Sequence, residues 1–319
     1  MLLLVGLLPA TGPHALAAPD AVVTNAPPVV SPATEDRIEQ AYEKLLEEDD
    51  AAQEEVDQWI RADVTKRQRS GDESDVTLRA RVKQRLEPVR AAYENFLKRH
   101  PGHTRARLAY GSFLGDIGEE DEALKQMEKA REIDPKNPAA WNNLGNHYGH
   151  LGPVQKAFEY YTKAIELNPN ESVYYQNLAA TVFVFRPDAT NFYRCTEQEV
   201  FDRSLELYRK ALKLAPTNFV LASDYAMSFY GIKPVRPEEA LTAWRAALAI
   251  APNAVEREGV RIHLARIEIG AGHFDEVRRH LEEVKNPIYD DLKKRLTRNL
   301  AEKQSQASTN TPAVVSPKP

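Results

Sequence analysis

From residue 34 to about 304, apolar and small residues recur at three- and four-residue spacing, in stretches cut apart by proline turns. That period marks amphipathic helices. The turns fall at Pro101, Pro135, Pro169, Pro216 and Pro252, and Asn286-Pro287 closes the series, at intervals of 34, 34, 47, 36 and 35 residues. Two equal periods, one lengthened by about 13 and two slightly stretched predict a helical repeat with an insertion in its third unit.

Ahead of the ladder, Thr34-Glu35-Asp36 is a helix start. Apolar residues then recur at Ile38, Tyr42, Leu45, Ala52, Val56 and Ile60 with no Gly or Pro until Gly71, which predicts one long helix over 34–73. Residues 35–58 carry eleven acidic and two basic side chains, and residues 79–107 carry nine basic and two acidic ones. Opposite charge predicts that the first helix folds back antiparallel on a second, with Lys66 to Asp75 as the reversal and Pro88 kinking or restarting the second helix. Exposed ion pairs are worth only about 0–1 kcal/mol each, so the match sets orientation more than stability. A coiled-coil dimer through positions 38, 42, 45, 52 and 56 is the competing arrangement, but polar Asp49 and Asp63 fall on that seam and favour a monomer.

The best-formed unit, 138–171, places Trp141, Leu144, Gly145 and Tyr148 on one helix and Ala157, Tyr161 and Ala164 on the next, and ends at the Pro169 turn. The small residues let the two helices approach, and the large ones fill the space between them. Unit 104–137 keeps Tyr110, Gly111, Ala123 and Ala130, unit 172–218 keeps Leu178, Ala179, Tyr208 and Ala211 around an insertion at about 183–200, and unit 219–254 keeps Tyr225, Ala226, Ala240, Trp244 and Ala247. A degenerate unit, 255–287, retains Leu264, Ala265, Gly272 and Leu281, and residues 74–103 form a partial one. Over roughly residues 74 to 287 the pattern resembles the tetratricopeptide repeat. The resemblance implies an all-α, right-handed solenoid of helix-turn-helix units. Ile288, Leu292, Leu296 and Leu300 recur every four residues and predict a helix over 288–304 that caps the open end.

The ends read differently. Leu2 to Leu8 is apolar, too short to span a bilayer, and Ala15-Leu16-Ala17 supplies an A-x-A site. This outlines a signal peptide over 1–17 cleaved after Ala17, with export to a periplasm or outside the cell, although no Lys or Arg precedes the apolar run. A cytoplasmic location follows if the segment stays uncleaved. Residues 18–33 and 305–319 are rich in Pro, Ala, Val, Ser and Thr and are expected to be disordered, with Pro27-Pro28-Val29-Val30-Ser31-Pro32 and Pro312-Ala313-Val314-Val315-Ser316-Pro317 as near copies.

With 319 residues, 42% apolar, the chain can bury a sizeable core. Lys and Arg total 42 against 47 Asp and Glu, so no uniformly basic surface exists to neutralise phosphates, and a nucleic-acid partner is not expected. One cysteine makes no internal disulfide, and Cys195 reads as an inert thiol. His147 and His150 share a helix face without a third ligand nearby, and Glu119 to Glu122 suit a helix N-terminus, so neither a metal nor another cofactor is expected. No nucleophile elbow, phosphate loop or zinc-protease motif occurs, and the chain is not expected to be an enzyme.

The resemblance implies that the first helix of each pair lines a groove for a protein partner, an extended peptide or a helix. The matching positions are Asn142 and Asn146, then Tyr174, Gln176 and Asn177, then Ser223 and Met227. Neutral amides offer the paired donors and acceptors that a peptide backbone needs. Basic residues that some relatives use to clamp a C-terminal carboxylate are missing here, where Gln176 and Ser223 stand. In the insertion, Phe192 and Tyr193 are a second candidate anchor, or else a small local core. The expected function is a non-enzymatic interaction scaffold of unknown partner. An envelope assembly chaperone and a non-catalytic subunit of an enzyme complex are the alternatives.

Overall fold

The computed structural model describes residues 32–70 and 76–309, all of whose regular structure is helical. Both the leader expected at 1–17 and the Pro/Val tail beyond Thr309 lie outside these residues.

Two helices precede the repeats, α1 (Pro32–Ser70) and α2 (Val76–Arg99). Tyr42, Leu45, Ala52 and Val56 of α1 are buried in one cluster with Leu86, Val89, Tyr93 and Phe96 of α2. The charge match is realised across this seam. Arg85 reaches Glu48 at 2.9 Å and Glu55 at 2.8 Å. The Tyr93 hydroxyl donates to Asp49 at 2.6 Å, so the polar residue that interrupts the heptad is used within the chain. Helix α1 extends through Ser70, which moves the reversal later than Lys66, and α2 passes through Pro88 as one element. The proline therefore does not restart the helix. Its ring costs a hydrogen bond that the surrounding packing offsets.

The repeats follow as pairs: α3 (Thr104–Asp116) with α4 (Glu120–Ile133), and α5 (Pro138–Leu151) with α6 (Val154–Leu167). Next, α7 (Ser172–Val184) pairs with α9 (Glu197–Leu214) around an inserted short helix, α8 (Arg186–Tyr193). Then come α10 (Phe219–Ser228) with α11 (Pro237–Ile250), α12 (Ala254–Ala271) with α13 (Phe274–Glu282), and the terminal α14 (Asp290–Thr309). Each start carries a local cause. Asn137, Glu171, Asn218 and Asn253 accept a backbone N–H at the first turn of α5, α7, α10 and α12. Thr196 and Glu199 form a reciprocal capping box on α9. Gly118 and Gly272, at φ +80° and +82°, make the turns that close the first and last pairs.

A recurring tie was not evident from the sequence. The turn carbonyls of Pro101, Pro135, Pro169 and Ala251 accept a bond from the side chain six residues on: Arg107 (2.6 Å), Trp141 (2.9 Å), Tyr175 (3.2 Å) and Arg257 (3.2 Å). Three kinds of side chain, Arg, Trp and Tyr, thus satisfy the carbonyl at the equivalent place in four turns.

Within pairs, small residues set the spacing. Ala123, Ala130, Ala157, Ala164, Ala211 and Ala247 are completely buried. A Cβ on Gly145 would sit 2.6 Å from the Tyr161 ring, so α5 and α6 meet at a distance only glycine permits. At the C-terminal end, Leu296 and Leu300 of α14 bury against Ile262, Ile269, Val277 and Leu281. Ile288 departs from the expected capping stripe: it lies in a short 3-10 turn, Pro287–Tyr289, and is 71% exposed. Proline at 287 starts a tight turn, and the helix proper begins at Asp290 and runs to Thr309, beyond the expected end at 304.

Gly145→Ala is expected to destabilise the fold by about 1–3 kcal/mol, because the Tyr161 ring must move. Gly270→Ala, on the same kind of element but with nothing within 4 Å, is expected to stabilise by about 0.5–1 kcal/mol. Urea unfolding of both variants checks the contrast. Equal effects would contradict it.

Candidate functional site

The first helices of successive pairs sit side by side, α3 against α5 and α5 against α7. Residues four apart on these helices therefore present one continuous face. On it the predicted amides meet. Asn177 Nδ2 donates to Asn142 Oδ1 at 2.9 Å and to Asn146 Oδ1 at 3.2 Å, bridging α7 to α5. The Tyr161 hydroxyl donates to the same Asn146 oxygen at 2.8 Å. Four side chains are thus held by one another, and Asn146 Nδ2 and Asn177 Oδ1 make no further hydrogen bond among the described residues. One is a donor and the other an acceptor. Asn142 is 93% buried and serves as the ladder's inner anchor.

Gln176 continues the row. Its Nε2 donates to Asp224 Oδ2 at 2.9 Å and links α7 to α10. Ser223 is half-buried, with its Oγ sealed from solvent and unpartnered, and Met227 is exposed. Tyr174 is corrected: it is buried beside Leu178, one helical turn ahead of it on the inward face. Its neighbour Tyr175 is half-buried against the cluster of Ala179, Tyr208, Ala211 and Leu221 and makes the tie to Pro169.

Phe192 and Tyr193 are corrected likewise. Both rings pack on Phe158 of the preceding pair, at 5.3 and 5.7 Å, and the Arg203 guanidinium covers Tyr193 at 4.1 Å. They build the local core of the insertion and leave no exposed aromatic anchor. Cys195 is half-buried at the edge of the same cluster. His147 of α5 faces Glu120 of α4 at 3.7 Å, and His150 is exposed.

The sequence did not reveal a second part of the site. A cleft of about 400 Å³ opens between α10, α12 and α14. Its floor is the Trp244 indole, stacked on the His263 ring at 4.2 Å and 3°. His263 Nδ1 is hydrogen-bonded to the Tyr230 hydroxyl at 3.0 Å, and Arg266 lies over the Tyr230 ring at 4.7 Å. Burial, with Arg266 nearby, pushes His263 down to about 4, so the ring is neutral near pH 7. The signal available was the Val220 and Met227 pair, two large apolar residues on α10 outside its buried stripe. Nearby, Glu268 is fully buried, with Arg245 at 3.2 Å, and burial pushes its carboxyl up.

Two sequence profiles described as tetratricopeptide repeat match residues 138–171 and 90–138. No curated protein matches the chain. Among solved structures, a thermophilic repeat protein of Thermus thermophilus is 21% identical, with 62% of this chain and 99% of that chain covered and a TM-score of 0.42. MamA is 22% identical over 56% of this chain and 96% of that one, at a TM-score of 0.41. YrrB, described as a TPR protein with an unusual peptide-binding site, is 14% identical over 67% and 98%, at 0.47.

The folded chain keeps His263 neutral to about pH 4, whereas an unfolded chain protonates it near the ordinary 6.5. Between those values the unfolded state binds more protons, so this residue's contribution to stability is present above pH 6.5 and is lost as pH falls toward 4. Glu268 acts in the opposite sense, because its folded carboxyl is raised. A His263→Gln variant isolates the first effect. Its deficit in unfolding free energy relative to the parent is expected to shrink as urea titrations move from about pH 7 to about 4.5. A deficit constant with pH would contradict this assignment.

Proposed function

We propose that the chain, a tetratricopeptide-repeat protein, is a non-catalytic scaffold that holds an extended segment of a partner protein along the face shared by α5, α7 and α10. The observation that carries this reading is the fixed amide ladder. Asn177 bridges Asn142 and Asn146 and so holds a free donor and a free acceptor on adjacent helices. An extended backbone offers the complementary carbonyl and N–H at each residue, every 3.2–3.4 Å or so.

Pre-organisation is the functional gain. A side-chain amide that is already bonded on one side loses little freedom when a peptide binds on the other, so fewer of its contacts are spent on ordering. Val173 and Val220, both exposed at the first turns of α7 and α10, supply apolar contact beside the ladder. The buried Tyr161 hydroxyl fixes the whole set from below. Among the described residues no helix is long and apolar enough to cross a membrane.

The test is a phage-displayed library of short random peptides selected on the full chain, followed by titration of the selected peptides. Asn146→Ser with Asn177→Ser is expected to weaken them about 10- to 30-fold, the loss of two interfacial hydrogen bonds. Circular dichroism is expected to stay unchanged. Peptides that bind both chains equally, or a library that yields none, would overturn the reading.

A further inference from the structure

We propose that the cleft between α10, α12 and α14 recognises an acidic, aliphatic segment of the partner, a short run of Leu or Val flanked by carboxylates. The proposal rests on the groove reading above and adds what the partner must look like.

Two features of the wall carry it. The first is apolar surface that the fold leaves uncovered: Val220 is 64% exposed and Met227 47% exposed, one on each side of Ser223 along α10. Half-buried Phe219 and Leu292 continue this surface into the cleft. At about 400 Å³ the space lies within the roughly 300–1,000 Å³ of small binding sites. Apolar side chains of an extended segment remove it from water.

The second is charge. Arg266 of α12 and Arg295 of α14 face the cleft, are exposed, and have no carboxylate partner among the described residues. Neighbouring arginines are paired: Arg245 with Glu268, Arg261 with Glu283, Arg298 with Glu302. On the opposite wall, Asp224 accepts from the neutral Gln176 amide and keeps its charge, and neither it nor Glu256 pairs with either guanidinium among the described residues, so both arginine forks stay open. Arg266 is also held over Tyr230, so its planar fork is oriented before a ligand arrives. Carboxylates beside the aliphatic run complete both forks. The chain's own Pro312 to Pro317 segment has the valines but no acid, and Lys318 follows it. That makes it the poorer occupant.

The experiment is fluorescence polarisation with the full chain and three capped, fluorescein-labelled peptides that share a Leu-Val-Leu centre flanked by Glu, by Gln or by Lys. Affinity is expected to fall in that order, with Glu over Lys by about tenfold or more. Arg266→Glu with Arg295→Glu is expected to reverse the order, and Val220→Asp to weaken all three. Equal binding of the three peptides, no binding at all, or an order unmoved by the arginine pair overturns the proposal. Tighter Glu-peptide binding in a Val314→Asp, Val315→Asp chain also overturns it, because the tail would then be the occupant. Loss of binding in the Asn146→Ser, Asn177→Ser chain without any effect of the arginine pair leaves the groove standing and removes this proposal. An effect of the arginine pair alone supports the cleft and removes the ladder.

Discussion

The close approach of α5 and α6 at Gly145 is the constraint on which the rest turns. Because position 145 has no Cβ, the Tyr161 ring lies directly under α5 and its hydroxyl reaches Asn146. The same Asn146 oxygen then accepts from Asn177 of the next pair, so one steric allowance in the core orients polar groups on the surface of two repeats. Packing and site are one structure here. A helix pair of about 34 residues cannot bury its apolar face alone, and stacking against neighbours supplies both the core and the continuity of the face.

The two ends of the array solve the problem of an open apolar face differently. At the N-terminal end, α1 and α2 cover α3 with an aromatic cluster of Tyr42, Tyr93, Phe96 and Tyr110, and Glu39 ties α1 to His103 and Arg105 at 3.2 and 2.8 Å. At the C-terminal end α14 lays Leu296 and Leu300 on α12 and α13 and leaves its first turns along the cleft. The cap therefore contributes a wall to the candidate site, and Arg295 is there because the cap is there.

Much of the fold was legible because the sequence states its period outright. Trp141, Gly145, Tyr148, Ala157 and Tyr161 sit where the repeat needs them, and the charge contrast between residues 35–58 and 79–107 gave the antiparallel pairing. What was not legible depends on partners far away in sequence. Nothing local says that Phe192 and Tyr193 will meet Phe158, some thirty residues earlier, and an aromatic loop reads the same whether it is tucked in or displayed. Tyr174 was within reach: it lies four residues before Leu178, and that spacing places it inward. Of the cleft only the apolar pair Val220 and Met227 left a trace in the sequence, since it is assembled from α10, α12 and α14 and depends on which arginines find carboxylates.

Direct observation of the amides tests the account at its centre. Nitrogen-15 NMR resolves the side-chain NH₂ groups of Asn146 and Asn177, and a peptide selected on the full chain can be titrated against them. If these amides read a peptide backbone, both pairs of resonances shift and saturate together with backbone signals of α5 and α7. Shifts confined to α9 and α11, with the two side-chain amides unmoved, would place the partner on another surface and contradict the ladder as the site.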